Sequence, residues 1–284
     1  MSSNDLWVHA EASLRRAHRA RSREARIAPR SPAKRVRSGT MSTPSTIAFV
    51  AGATGYTGRE VVRLLVSRGV RTIAHVRPDS KRKDEWRARF EAEGAEVDAT
   101  PWDDAALTAT FAQRKPTLVF ALLGTTRARA KEIEKQGGDA ARETYEAVDY
   151  GLSAMLLRAS IAEGTRPRYV YLSSLGVSDD ARGGYFQARA RLERELVASG
   201  LPHVIGRPSF ITGESERDEP RPMERIGAGV GDALLSAVAL FGGRGLRDRY
   251  ASIDPKTLAT ALVDAALAPT GDRMVLEGST LRGR

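Results

Sequence analysis

Cysteine is absent from this 284-residue chain, which excludes disulfides, thiolate metal ligands and a cysteine nucleophile. Histidine is scarce. His9, His18, His75 and His203 are scattered without a His-Glu-x-x-His or similar spacing, so no metal site is expected and each is read as a solvated or satisfied side chain. Long apolar runs are missing too. The longest, residues 118–123 and 237–241, fall far short of the roughly 20 residues that a bilayer-spanning helix needs, so a soluble, cytoplasmic protein with no membrane partner is expected. No internal repeat is present.

The formal charge of +10 suggests nucleic acid until it is partitioned. Residues 1–40 hold ten Lys or Arg against three acids, or +7, leaving +3 for the other 244 residues. Basicity therefore belongs to an N-terminal arm, and nucleic acid is not expected as a partner except through it. The arm is rich in Arg and Ser, poor in apolar residues and interrupted by Pro29 and Pro32. It cannot bury enough surface to fold alone, so disorder is expected there, with a transient helix around residues 11–26. Met41 stands five residues ahead of the first strand. Either Met41 is the working start, or the arm serves as a transit-like peptide or a basic tether. No apolar core follows its arginines, so secretion is not expected.

What the chain does have is Thr-Ile-Ala-Phe-Val-Ala-Gly-Ala-Thr-Gly-Tyr-Thr-Gly at 46–58. Ile47, Phe49 and Val50 favour a buried strand, and residues 59–66 switch to helical spacing. Gly52, Gly55 and Gly58 sit at the switch. In a strand-turn-helix unit the first glycine permits a tight turn, the second lets backbone approach a diphosphate, and the third lets helix pack on strand. A diphosphate would lie on the amides at the helix N-terminus, among Gly52, Thr54, Gly55, Tyr56, Thr57 and Gly58. The spacing is Gly-x-x-Gly-x-x-Gly, not the dehydrogenase Gly-x-Gly-x-x-Gly, and its context makes it a dinucleotide signal.

The rest of the chain alternates strand and helix, which predicts an α/β fold with a Rossmann-like, doubly wound parallel sheet. Strands are expected at 71–77, 95–100, 117–123, 168–172 and 202–206, with an edge strand at 274–276. Helices are expected at 80–93, 103–113 (capped by Asp103 or Asp104), 139–163, 185–199, 231–241 and 256–267. Residues 41–284 form one domain, within which 207–284 contribute a small C-terminal substrate lobe.

Such folds read the adenosine ribose at the end of the second strand, about 20 residues beyond the glycines. Arg77 stands there, and an arginine offers a bidentate fork to the 2′-phosphate of NADP where an acid would accept from the 2′-hydroxyl of NAD. Lys81, Arg82 and Lys83 add positive charge; Asp79 dissents. NADP(H) is the preferred cofactor and NAD(H) the alternative.

Two further segments, Ser173-Ser174 after a strand and Tyr185-Phe-Gln-Ala-Arg189, resemble the short-chain dehydrogenases, in which a Tyr-x-x-x-Lys pair and a serine form the proton-transfer site. A tyrosine hydroxyl ordinarily ionises near pH 10, so neutral-pH work needs a nearby cation. Tyr185 and Arg189 stand at i, i+4 on one helix face, with Arg in place of the family's Lys. Together with residues 51–58, Leu123-Gly-Thr-Thr-Arg127, 172–176 and Arg207-Pro-Ser-Phe-Ile-Thr-Gly213, they are similar to the atypical short-chain dehydrogenases with an NAD(P)H-binding domain, in particular the group around the human Tat-interacting oxidoreductase. The resemblance spans 46–213. It implies Tyr185, Ser174 and Arg189 as catalytic, Leu123, Gly124 and Thr125 beside the cofactor, and Arg207-Pro208 leading towards a substrate cleft. Three activities are compatible with it: an NADP(H)-dependent oxidoreductase acting on a small carbonyl or alcohol substrate, an NAD(P)H-sensing regulator with a protein partner, and an epimerase or isomerase using bound NAD(P).

Overall fold

The structure, a computed structural model, describes residues 46–125, 134–135, 137, 139–162, 164–212 and 251–283. The basic arm, the expected 231–241 helix, Arg127 and Gly213 lie outside the described residues.

Seven strands form one sheet: β1 (Ile47–Ala51), β2 (Arg71–His75), β3 (Glu96–Asp98), β4 (Leu118–Ala121), β5 (Arg168–Leu172), β6 (His203–Arg207) and β7 (Arg273–Glu277). Their order is β3-β2-β1-β4-β5-β6-β7, and every pairing is parallel. The helices are α1 (Tyr56–Ser67), α2 (Lys83–Ala92), α3 (Asp104–Arg114), α4 (Ser153–Ala162), α5 (Gly184–Ala198) and α6 (Pro255–Leu267). This is the Rossmann-like α/β fold that the alternation of elements predicts.

Strand alternation divides the core into two layers. Ala48, Val50, Ala74, Phe120 and Val204 face α1, α2 and α6 through Val61, Leu65, Phe90, Leu258 and Leu262. Phe49, Ala51, Ile73, Val119 and Tyr169 face α3, α4 and α5 through Leu107, Phe111, Leu156 and Leu192. With helices on both faces the central strands β1, β4 and β5 are buried on both, as in other parallel sheets, while edge strand β7 stays partly exposed. Residues expected in the C-terminal lobe are partly built into this body, because β7 extends the sheet at its edge and α6 packs on α1. Among the described residues no helix is long and apolar enough to cross a membrane.

Asp103 caps α3 by accepting from the Ala106 amide at 2.9 Å. The expected helix over 139–163 is instead three pieces: a 3-10 turn at Ala140–Glu143, a π-helix at Tyr145–Leu152, and α4. The break is local chemistry. Thr144 adopts extended backbone, and its hydroxyl accepts from the Ala147 amide at 3.1 Å, which starts a new helix. The wider π turn carries Asp149 into the interior, with no solvent exposure.

Candidate active site

The strand order reverses between β1 and β4, so a crevice opens at their carboxyl ends, where open α/β sheets bind ligands. Among the described residues, the glycine turn after β1, Arg77 after β2, Leu123 to Thr125 after β4 and Ser174 after β5 all follow the carboxyl ends of strands, and the residues around them form two main groups.

The first group is the glycine turn. Gly52 has φ +81°, and a Cβ there would lie 2.4 Å from the Leu122 carbonyl oxygen at the end of β4. A Cβ at Gly58 would lie 2.1 Å from the Gly52 carbonyl oxygen. Backbone blocks both positions, so the chain's own packing demands these two glycines. Gly55 differs. It is exposed, its φ of −75° suits any residue, and a Cβ would meet only the Gly52 oxygen at 3.2 Å. A shift of a few tenths of an ångström would admit it, so the cradle before Gly55 is space that the protein leaves open. Gly55 also caps α1 without a side chain, and no acid stands in the first turn of that helix. The positive end of α1 therefore faces the crevice, which suits a diphosphate. Thr54 is half-buried beside it, Thr57 is buried, and Tyr56 is half-buried with the Arg59 guanidinium 5.1 Å from its ring centroid.

Arg77, two residues past β2, presents a half-exposed guanidinium at the same edge. Its Nη1 donates to Glu143 Oε1 at 3.2 Å, and its Nε lies 3.9 Å from Asp79. Glu143 is buried and also accepts from the Thr125 hydroxyl at 3.2 Å.

The second group surrounds Arg189 of α5. This guanidinium is buried. Its Nη2 donates to Asp149 at 2.6 Å, its Nη1 donates to the Leu172 carbonyl at the end of β5, and its centre lies 4.7 Å from the Tyr185 ring centroid. Asp149 also accepts from the Thr125 amide at 3.1 Å. Gly124 has a role invisible in the sequence: a Cβ there would lie 3.1 Å from Arg189 Nη2. Half-buried Leu123 continues the same strand end. Burial pushes the Asp149 carboxyl above the ordinary carboxylate value, with Arg189 and the Thr125 amide opposing. Burial pulls the Arg189 guanidinium down, but Tyr171, Tyr185 and Asp149 outweigh it, so the net displacement is upward and the cation persists.

Tyr185 is half-buried, edge-on to Tyr145 and Phe186 with ring centroids 5.2 Å away in each case. Ser174 is half-buried, and its hydroxyl donates to the Leu175 carbonyl at 3.3 Å. Its neighbour Ser173 is buried and donates to Glu193, which also holds Arg207; Arg207 in turn reaches Glu277 at 2.8 Å.

Sequence reasoning missed Asp149, Glu143 and Glu193. Asp149 carried one signal, a charge beside Val148 on an otherwise apolar helix face. Glu193 carried none, because Arg-Leu-Glu-Arg-Glu reads as a solvated face until β6 delivers Arg207. His75 and His203 are buried and hydrogen-bonded to the carbonyls of Thr100 and Leu201. Among the described residues no group of His, Asp or Glu is placed to hold a metal ion.

Residues 52–229 match the NAD(P)H-binding family. The chain is 35% identical to protein fmp52-1, mitochondrial, of Aspergillus terreus over 54% of this chain and 58% of that one. It is 33% identical to the Aspergillus oryzae protein of the same name, over 56% of this chain and 63% of that one. The chain thus spans about three fifths of the length of these curated relatives. Among solved structures, a putative NAD-dependent epimerase/dehydratase from Bacillus halodurans superposes with a TM-score of 0.55 at 16% identity, covering 81% of this chain and 92% of that one. At that identity the likeness speaks for the fold alone. The names of the two Aspergillus proteins overturn the expectation of a cytoplasmic protein. That expectation rested on missing apolar runs, which do not distinguish the cytoplasm from other compartments.

Proposed function

The chain belongs to the NAD(P)H-binding family, and from that premise we propose that it is an NADP(H)-dependent oxidoreductase of the atypical short-chain dehydrogenase type. Its substrate is a small carbonyl or alcohol. The observation that carries this reading is the placement of the Tyr185 ring against the buried Arg189 guanidinium, 4.7 Å away, at the carboxyl edge of β5. The amides around Gly52, Gly55 and Gly58 hold the diphosphate, and Arg77 holds the 2′-phosphate. The nicotinamide, when bound, supplies hydride to the carbonyl carbon. Tyr185 gives its hydroxyl proton to the carbonyl oxygen, Ser174 donates a hydrogen bond to that oxygen, and Arg189 holds the tyrosine in place. NADPH oxidation against a panel of carbonyls tests this: turnover is expected with at least one substrate and is expected to fall at least 100-fold in Tyr185→Phe. Turnover undiminished by that change would remove the mechanism.

A second reading has its own observation. Two Arg189 nitrogens are already committed to Asp149 and Leu172, which favours a dinucleotide-sensing regulator acting through a protein partner. NADPH binding without turnover of any carbonyl, with turnover appearing in Arg189→Lys, would support it. The finer likeness to the Tat-interacting oxidoreductase group is compatible with either reading. As for location, the fungal relatives' names and the Arg- and Ser-rich, acid-poor arm favour the mitochondrion. A reporter fused to residues 1–40 that stays in the cytosol would contradict that placement.

A further inference from the structure

β1 lies between β2 and β4 in the sheet, so the bond from Arg77, just past β2, to Glu143, in the segment after β4, crosses the carboxyl end of β1. The glycine turn starts there, and the crevice opens there. Resting on the dinucleotide reading above, we propose that Glu143 is the residue that sets discrimination between the two nicotinamide dinucleotides, by occupying the Arg77 guanidinium that a 2′-phosphate must take.

Two carboxylates surround this guanidinium, and they are not equal. Asp79 lies 3.9 Å from Nε with three quarters of its side chain exposed; an exposed pair at that distance is screened and contributes little. Glu143 lies 3.2 Å from Nη1, is only 7% exposed, and is tied on its far side to the Thr125 hydroxyl. A buried, doubly held carboxylate cannot swing into solvent without leaving the Thr125 donor behind. Its charge therefore stays where an arriving phosphate dianion meets it. Arg77 is half-exposed, so its outer face is open to a ligand while its inner nitrogen is held.

The consequence is graded. A dinucleotide with a free 2′-hydroxyl leaves the Arg77 and Glu143 pair intact. One with a 2′-phosphate gains the guanidinium's fork but meets the carboxylate, so the protein's preference for the phosphorylated form is smaller than Arg77 alone would give.

Calorimetric titration of the full chain with 2′-phospho-ADP-ribose and with ADP-ribose tests this, since the two differ only in the 2′-phosphate and lack nicotinamide. The readout is the ratio of their association constants at fixed ionic strength. Glu143→Gln is expected to raise the ratio about tenfold. Thr125→Val, which loosens the carboxylate without removing it, is expected to raise it about two- to threefold, and Arg77→Ala to bring it close to one. A melting curve for each variant confirms that it is folded. A ratio unchanged or lowered in Glu143→Gln, with both ligands binding the wild-type chain, overturns the inference and leaves the dinucleotide reading standing. Failure of the wild-type chain to bind either ligand overturns both.

Discussion

Around Gly52 and Gly58 the contacts are backbone against backbone, with no room for a Cβ on either residue. Around Arg189 they are a buried ion pair with Asp149, forty residues earlier, and a hydrogen bond to the carbonyl of Leu172. Both sets lie on one edge of one sheet, yet they respond to sequence change by different physics. The glycine turn is a steric device that tolerates a change only where space is left. The Arg189 cluster is an electrostatic device in which each charge is tolerated because its partner is present. The difference separates what holds the fold from what is left for a ligand.

Removing one partner of the buried pair should have the largest effect. Asp149→Ala strands the Arg189 cation in the interior, and denaturant unfolding is expected to show a loss of about 3–5 kcal/mol. The double change Asp149→Leu with Arg189→Met should recover most of that loss, because no uncompensated charge remains; a double variant as unstable as the single one would contradict the electrostatic account. Next comes Gly58→Ala, whose Cβ would meet backbone at 2.1 Å. It should cost about 1–3 kcal/mol by forcing α1 away from β1.

Gly55→Ala sharpens the contrast inside the turn. Its Cβ meets the Gly52 oxygen at 3.2 Å, so stability should move by less than about 1 kcal/mol, while dinucleotide affinity should fall at least tenfold. Equal loss of stability in Gly55→Ala and Gly58→Ala would erase the distinction between a packing glycine and a ligand glycine.

The smallest effect belongs to His75 on β2. Burial holds its imidazole below the ordinary value of 6.5, against the opposing Thr100 carbonyl and Asp98. Below pH 6.5 the unfolded chain therefore binds a proton that the folded one resists. The stability from the neutral ring is complete above that pH and lost as the pH falls through the folded value. Melting temperatures measured between pH 7.5 and 5 should decline less steeply in His75→Gln than in the parent.

How much of this could be read from the chain follows the same division. The glycine turn, the Asp103 cap and the strand at 168–172 are local: their signals sit within a few residues of their effects. The single helix expected over 139–163 rests on Val148, Leu152, Met155, Leu156 and Ala159 sharing one face, while the actual shape is set by the Thr144 cap and by Asp149 turning inward to meet a guanidinium from α5. Gly124 is expected from the sequence beside the cofactor, and only the fold shows that a Cβ there would lie 3.1 Å from Arg189 Nη2. Glu143 read as one more helix charge, and its burial depends on Arg77, 66 residues away, and on Thr125. Long-range pairs of this kind leave no spacing to find.

We assign the amides around Gly55, at the head of α1, to a pyrophosphate. Calorimetric titration of the purified chain with NADP⁺ and NAD⁺ up to millimolar concentration tests it most directly. The account predicts saturable binding that is abolished or weakened at least tenfold in Gly55→Ala. No heat of binding with either dinucleotide, or equal binding by the parent and Gly55→Ala, would contradict it.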